Sequence, residues 1–161
     1  MHNRVTAAAR MPPTAAALVY LIVQWLAVVT LAGCQPRSEK VTLQVSGLEL
    51  SVEVARTEAQ REHGLMGRRD LGSRDGMIFV FDKDDHLMFW MKDTPTALSI
   101  AFLSADGRIL EIEDMQPFSE SIVRSRFSAR YALEMRQGAF AALGIREGDT
   151  IAFPGGFPER G

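Results

Sequence analysis

Apolar and polar residues alternate along two neighbouring runs of the chain. Every second residue is apolar in residues 41–45 and again in residues 48–54, and Ser46-Gly47 lies between the runs. A period of two is typical of strands with one buried face, and a two-residue loop between such runs favours a hairpin. We therefore predict an antiparallel hairpin with one face toward solvent.

Two short helices are predicted among the strands. Thr57 suits a helix N-cap, residues 58–63 form a short polar helix, and Gly64 ends it. Residues 138–143 resemble a helical turn that Gly144 closes. Both segments are too short to form a helical layer, so they are expected as additions to a β structure.

The remaining apolar segments predict further short strands. Asp106-Gly107, between two of them, is a strong hairpin signal. Many short strands with close turns and few helices favour a mainly β fold, an antiparallel sandwich or barrel with one or two short helices. The absence of βα alternation disfavours a doubly wound nucleotide-binding sheet. The segments are residues 77–81, 86–91, 98–103, 108–115, 130–136 and 150–153.

The first 34 residues have the pattern of an export signal. Arg4 and Arg10 precede an apolar stretch, residues 15–31, and small residues follow it. Leu31-Ala32-Gly33-Cys34 resembles the bacterial lipobox, in which the cysteine thiol receives a diacylglyceryl group and becomes the new N-terminus. Alternatively, this stretch of 17 residues, interrupted only by Gln24 and Thr30, could remain as a membrane anchor, since about 17–25 residues span a bilayer. We expect processing and a lipid on Cys34.

This interpretation divides the chain into a signal peptide with its helix (residues 1–33), a tether (34–40) and one β-rich domain (41–161). Gln35 rather than aspartate follows the cysteine, which favours the periplasmic face of the outer membrane over the inner membrane. Cys34 is the only cysteine, so no disulfide is available. The mature chain has 161 − 33 = 128 residues, with 16 basic and 20 acidic residues, a net charge of −4. Without a basic run, nucleic acid is not an expected partner.

Several sequence blocks carry a family resemblance. In their order and spacing they are similar to the bacterial and archaeal family called domain of unknown function 192, over about residues 52–153. The resemblance implies a jelly-roll-like sandwich and no established activity. This chain has Asp93 where the family more usually has asparagine, which replaces a neutral donor and acceptor with a charged acceptor. The blocks are Arg61-Glu-His-Gly-Leu-Met-Gly-Arg68, Gly76-Met-Ile-Phe-Val-Phe81, Phe89-Trp-Met-Lys-Asp-Thr94, Leu98-Ser-Ile-Ala-Phe102, Tyr131-Ala-Leu-Glu134 and Gly144-Ile-Arg-Glu-Gly-Asp149.

The third block is the densest cluster of polar and aromatic residues. On a strand from His86, the side chains of Met88, Trp90 and Lys92 share its face, and the residues between them face the core. Trp90 could form the floor of a pocket in which Lys92 and Asp93 meet a ligand. In the competing interpretation, Trp90 packs across the strand edge and the stem of Lys92 covers it.

Arg61, Arg68 and Glu134 are the other polar residues of interest in the blocks. A pair of Arg61 with Glu134 or Asp93 could hold a substrate carboxylate or tune an acid. It could equally be a structural pair that fixes the short helix against the sheet.

Side chains that are soft or borderline metal ligands are frequent for a short exported segment, and thioethers suit Cu(I). They are His63, His86, Met66, Met77, Met88 and Met91. No two histidines have ligand spacing, however, and methionines at alternating strand positions usually fill core. We expect no metal site and no cofactor.

The sequence therefore predicts a membrane-tethered envelope protein that binds a small molecule or an envelope partner without catalysis. The binding residues would be Trp90, Lys92, Asp93, Arg61 and Glu134. One alternative is an envelope hydrolase with Glu134 or Asp93 as acid or base. Another is a periplasmic copper-handling protein. Sequence alone does not decide whether the chain is an enzyme.

Overall fold

A computed structural model of the chain describes residues 38–156. The predicted signal helix, the lipid site at Cys34 and most of the tether lie outside the described residues. Within residues 38–156, no helix has the length and apolar character needed to cross a bilayer. The elements are β1 (Glu39–Val45), β2 (Leu48–Ala55), α1 (Glu58–His63), β3 (Asp75–Asp85), β4 (Met88–Phe89), β5 (Leu98–Leu103), β6 (Ile109–Met115), β7 (Val123–Arg124), β8 (Ala129–Arg136), α2 (Ala139–Ala142) and β9 (Ile151–Ala152).

The two predicted hairpins form at the turns that the sequence indicated. Strands β1 and β2 pair antiparallel across Ser46 and Gly47, whose φ angles of 50° and 78° both lie in the left-handed region. Positive φ at both central residues is typical of the type I′ turn that joins tight hairpins. Strands β5 and β6 pair antiparallel across the Asp106-Gly107 turn. Both hairpin predictions are confirmed.

Seven strands form one sheet in the order β6-β5-β8-β3-β2-β1-β9. All of its neighbours pair antiparallel except β2 and β3, which are parallel because the connection between them carries α1 and returns to the same end of the sheet. The prediction of a mainly β fold with one or two short helices is confirmed. The predicted antiparallel, jelly-roll-like sandwich or barrel is wrong in its topology, because the described residues form one mixed sheet and a separate two-stranded ribbon of β4 and β7.

The sheet curls into a half-barrel. Its two edges meet at one end, where Arg108 and Thr150 form a bridge and the backbone nitrogen of Ile151 donates to the carbonyl of Gly107 at 2.9 Å. All seven strands contribute to a first hydrophobic core that fills this curl, and α2 contributes Phe140 to it. The helix α2 thus packs on the same core.

The opposite face of the central strands is also buried. Because side chains alternate along a strand, Ile78 of β3 belongs to the first core, whereas Met77 and Phe79 belong to a second core. The segment after α1 adds Leu65, and the ribbon of β4 and β7 adds Phe89. Burying such a side chain contributes about 1.5–3 kcal/mol, so this covering layer is stably attached.

Candidate functional site

A pocket of about 360 Å³ lies in the covering layer, between α1, the turn after it, β3, β4 and β8. The size is within the range of small-molecule sites, about 300–1,000 Å³. Leu65, Phe79 and Phe89 line its buried part, and the more exposed Met88 and Trp90 line its rim. Nine further residues of the lining are polar, glycine or partly exposed, so the pocket combines an apolar interior with polar groups.

Glu134 is the buried carboxyl group of this pocket. Register places it between Met77 of β3 and Ile100 of β5, in the middle of the sheet, and its side chain is on the face of the second core. The residue is 4% exposed, and within residues 38–156 its side chain makes no hydrogen bond or ion pair. Burial raises the pKa of the Glu134 carboxyl to about 8. At neutral pH the group is therefore mostly uncharged.

The carboxyl oxygens of Glu134 still contact the pocket space. In the described part of the chain, Nε of Arg56 is the one fully enclosed side-chain polar atom without a hydrogen-bond partner. The unbonded oxygens of Glu134 are therefore not fully enclosed, and the pocket is the space that they line. A group placed in this pocket can supply the hydrogen bond that the protein does not.

Phenylalanine rings form the wall beside Glu134. The rings of Phe79 and Phe89 meet edge to face, with their centroids 5.0 Å apart, and Phe81 lies 6.3 Å from Phe89. Gly64, at the end of α1, lies beside this wall, since a Cβ there would be in ordinary van der Waals contact with the Phe79 ring at 3.4 Å. Edge-to-face contacts between the rings thus form this side of the pocket.

The helix α1 forms one wall of the pocket, and its N-terminal cap fixes it there, as the sequence predicted. The Thr57 hydroxyl accepts from the backbone nitrogen of Gln60 at 3.2 Å, and the Gln60 side chain accepts from the Thr57 nitrogen at 3.0 Å. This is a capping box, which satisfies donors that a helix start leaves free. It sets the position from which α1 presents Glu58, Arg61 and Glu62 to the pocket.

Arg61 lines the pocket but is already bonded. Its Nη1 donates to the carbonyl of Val80 at 3.1 Å and to the carbonyl of Arg56, and its guanidinium lies 5.1 Å from the centre of the Phe81 ring. Among the described residues it makes no ion pair with Glu134 or Asp93. Its contacts fix α1 against β3.

The other basic candidate, Arg68, forms an ion pair with Glu53 and does not line the pocket. Asp93 is also outside the lining. It is exposed, its φ is 52°, and its carbonyl accepts from the nitrogen of Gly67 at 2.9 Å. Asparagine and aspartate are the residues other than glycine that most readily adopt positive φ. The aspartate that stands at the family's usual asparagine position is thus compatible with this backbone conformation.

Trp90 lies at the pocket rim, 43% exposed, and Lys92 places its ammonium 5.3 Å from the centre of the Trp90 ring. Leu87, Phe89 and Met91 are buried, so the predicted alternation of this segment is present, although only Met88–Phe89 form a strand. The structure therefore brings Trp90, Arg61 and Glu134 to one pocket. Lys92 and Asp93 are exposed and do not line the pocket.

Sequence reasoning missed the acidic residues of α1, Glu58 and Glu62, as pocket residues, along with Thr94. A six-residue polar helix gives no sign of which of its side chains will face a pocket. His63, Met66 and Met88 also line the pocket. In the described part of the chain, no three His, Cys, Asp or Glu side chains form a group that could hold a metal ion.

Comparison with known proteins places the chain in a family. The family model of domain of unknown function 192, described as Uncharacterized ACR, COG1430, matches residues 41–153. A crystal structure from Sinorhizobium meliloti, of a protein titled a "putative transcription regulator", is 35% identical over 74% of this chain and 98% of its own, with a TM-score of 0.71. A protein of unknown function from Novosphingobium aromaticivorans is 32% identical over 77% of this chain and 89% of its own, with a TM-score of 0.67. No curated protein matches the chain. The chain therefore belongs to the domain of unknown function 192 family.

Proposed function

We propose that the chain is a small-molecule-binding protein of the bacterial cell envelope, and that the Glu134 pocket is its binding site. The observation that carries the proposal is the buried carboxyl of Glu134, which lines the pocket and has no partner in residues 38–156. No group of residues 38–156 bonds to the oxygens of this carboxyl, so a ligand that enters the pocket can form hydrogen bonds with them.

The lining of the pocket supports a binding role. Its buried apolar residues exclude water from most of a ligand's surface, and one polar group at depth fixes the orientation of the ligand. Trp90 at the rim offers a half-exposed aromatic surface to a ligand that enters. Of the residues expected to bind, Trp90, Arg61 and Glu134 are the three that we assign to this site.

The envelope location is proposed from the sequence. The export signal and the lipobox-like residues before Cys34 support a lipid-anchored chain on the periplasmic face of a membrane, with the outer membrane favoured by Gln35. Two acyl chains or more anchor a protein stably, whereas one binds only marginally. The structure describes the chain from Ser38, four residues after the proposed anchor.

Native mass spectrometry tests the binding function. The full chain is extracted from bacterial envelopes in mild detergent without a chelator, alongside Glu134→Gln and Trp90→Ala variants and the control Arg136→Gln, which alters an exposed residue of the same strand. We expect an additional mass on the wild type and the control that both pocket variants lose. A bare wild-type mass, or an added mass that survives in both pocket variants, contradicts the proposal. A copper-sized increment would instead support metal handling through the His63 and Met66 side of the pocket.

A hydrolase is the second candidate function, because a pocket carboxyl with a pKa near 8 is protonated at neutral pH, as a general acid must be. Glu58, Glu62 and His63 line the same pocket and are the groups that could act as the base. Turnover of glycan or peptide fragments by the wild type, lost in Glu134→Gln while the fragments still bind, would support the enzyme. Binding without turnover would support the proposed binding protein.

A further inference from the structure

We infer that the ligand of this pocket carries a cationic nitrogen, an amine or ammonium group, that lies among the aromatic side chains and pairs with Glu134. This inference rests on the proposed binding function and names the class of ligand.

The charged residues of the pocket are mostly acidic. Glu58 and Glu62 on α1 line its outer part, and Glu134 lines its depth and becomes negative when it releases its proton. Arg61 and the titratable His63 are the basic residues of the lining. Neither Glu58 nor Glu62 forms an ion pair within residues 38–156. An excess of carboxylates around a concave site attracts cations and repels anions.

Arg61 is already held by the protein through one of its nitrogens. Two backbone carbonyls already accept hydrogen bonds from its Nη1, and one face of the Phe81 ring already lies against its guanidinium. Its Nε and Nη2 make no hydrogen bond within residues 38–156, so Arg61 is the group at which an anionic competitor would bind. At the depth of the pocket, the Glu134 carboxylate can neutralise a cation but not an anion, and a charge buried without a partner is costly.

The aromatic side chains suit a cation. Phe79, Phe89 and Trp90 line the pocket, and the negative face of an aromatic ring attracts a cation that lies within about 6 Å of its centre. The rings of Phe81 and Trp90 each already have a protein cation at such a distance, Arg61 at 5.1 Å and Lys92 at 5.3 Å. An ammonium at the depth of the pocket would gain the Glu134 carboxylate as a counter-ion.

A matched set of three probes tests the inference. 2-Phenylethylamine, 2-phenylethanol and 3-phenylpropionate share a ring and a short chain and differ in the charge of the head group. Isothermal titration calorimetry of the full chain in detergent at pH 7 measures their affinities. The variant Glu134→Gln removes the charge with little change in volume, and Arg136→Gln, exposed on the same strand, is the control.

We expect the amine to bind at least tenfold more tightly than the alcohol, and the acid to bind most weakly. Binding a cation to Glu134 requires its carboxylate, so the group must release the proton that it carries in the free protein. With its pKa at about 8, Glu134 is mostly protonated at pH 7. Titrations in buffers of different ionisation enthalpy should therefore show proton release for the wild type and the control, and none for Glu134→Gln.

Two results would overturn the inference. One is an amine that binds no more tightly than the alcohol, or does not bind at all at millimolar concentration. The other is amine binding without proton release, which would mean that the amine does not meet the Glu134 carboxylate. Both leave the mass-spectrometric test of the binding function untouched, since a neutral ligand in the pocket would still add a mass to the wild type that Trp90→Ala removes. Proton release by the wild type is informative even if the variant fails to fold.

Discussion

The buried carboxylate of Glu111 accepts two hydrogen bonds from Arg126, from the backbone nitrogen at 2.6 Å and from Nε at 2.5 Å. Glu111 is fully buried on β6, and its charge is matched by this one residue. Glu134, two strands away in the same sheet, is almost as buried and has no such partner within the described residues. The protein thus supplies hydrogen-bond donors to the carboxyl of Glu111, whereas the carboxyl of Glu134 faces the pocket.

Replacing Arg126 should destabilise the fold through Glu111. In Arg126→Ala the backbone nitrogen still donates, but the second oxygen of Glu111 loses its partner inside the sheet, and such a stranded group costs about 1–3 kcal/mol. The midpoint of urea unfolding should fall accordingly. Arg124→Ala, at an exposed position of β7, is the matched control and should stay within about 0.5 kcal/mol of the wild type. Equal midpoints for the two variants would contradict this assignment.

Gly76 should be irreplaceable because β8 passes against it at Glu134. A Cβ on Gly76 would lie 2.2 Å from the carbonyl oxygen of Glu134 and 3.2 Å from Cγ of Met135. Gly76→Ala must therefore push β3 and β8 apart, and we expect a loss of about 4 kcal/mol or more, or no folded protein. Gly155→Ala, where a Cβ would meet nothing within 4 Å, should unfold like the wild type. A folded Gly76→Ala variant with an unchanged urea midpoint would refute the prediction.

Local features of the fold could be predicted from the sequence because neighbouring residues determine them. The Ser46-Gly47 turn, the Thr57 cap and the Asp106-Gly107 turn each fix the backbone through their own conformations and hydrogen bonds. The parallel pairing of β2 with β3 could not be predicted in this way. It depends on which strands meet after a connection of 19 residues (56–74), and alternation within a strand does not specify its neighbour.

The site was predictable in part for a similar reason. Glu134 and Trp90 interrupt apolar runs, so both differ from ordinary core and were identifiable as candidates. The hydrogen bonds of Arg61 could not be predicted, because they go to backbone carbonyls, which every residue of the chain offers. Glu58 and Glu62 became pocket residues only through the direction in which α1 packs.

The cap of α1 should matter to the pocket as well as to the helix. Thr57→Ala removes the hydroxyl that accepts from Gln60, and loss of such a cap costs about 1 kcal/mol. Because α1 is one wall of the pocket, hydrogen exchange of its amides should accelerate in the variant. Thr57→Ser keeps the hydroxyl and serves as the control. Unchanged exchange in Thr57→Ala would show that packing alone holds the helix.

The proposed anchor predicts where the protein is found. Cys34→Ser removes the thiol that would carry the lipid, so the chain should no longer incorporate labelled fatty acid or be processed at residue 34. The wild type should incorporate the label and remain in the membrane fraction after a high-salt wash. A wild type that is never labelled would contradict the lipobox interpretation, and residues 15–31 would then be the candidate anchor.

The carboxyl of Glu134 should make stability depend on pH. Its pKa rises from the ordinary value of 4.5 to about 8 on folding, so the folded state holds a proton that the unfolded state releases between these two values. The contribution of the neutral group is fully present below pH 4.5 and is lost as the pH rises toward 8. At 1.36 kcal/mol per pKa unit, the loss amounts to about 5 kcal/mol.

Glu134→Gln provides the test, because the amide does not ionise. We expect the free energy of urea unfolding of the wild type, relative to this variant, to fall steadily between pH 5 and pH 8 and then to level off. Parallel stability curves over that range would contradict the raised pKa. A saturating cationic ligand should flatten the slope of the wild type, since pairing lowers the pKa of Glu134 in the folded state and so removes the proton difference that produces the slope.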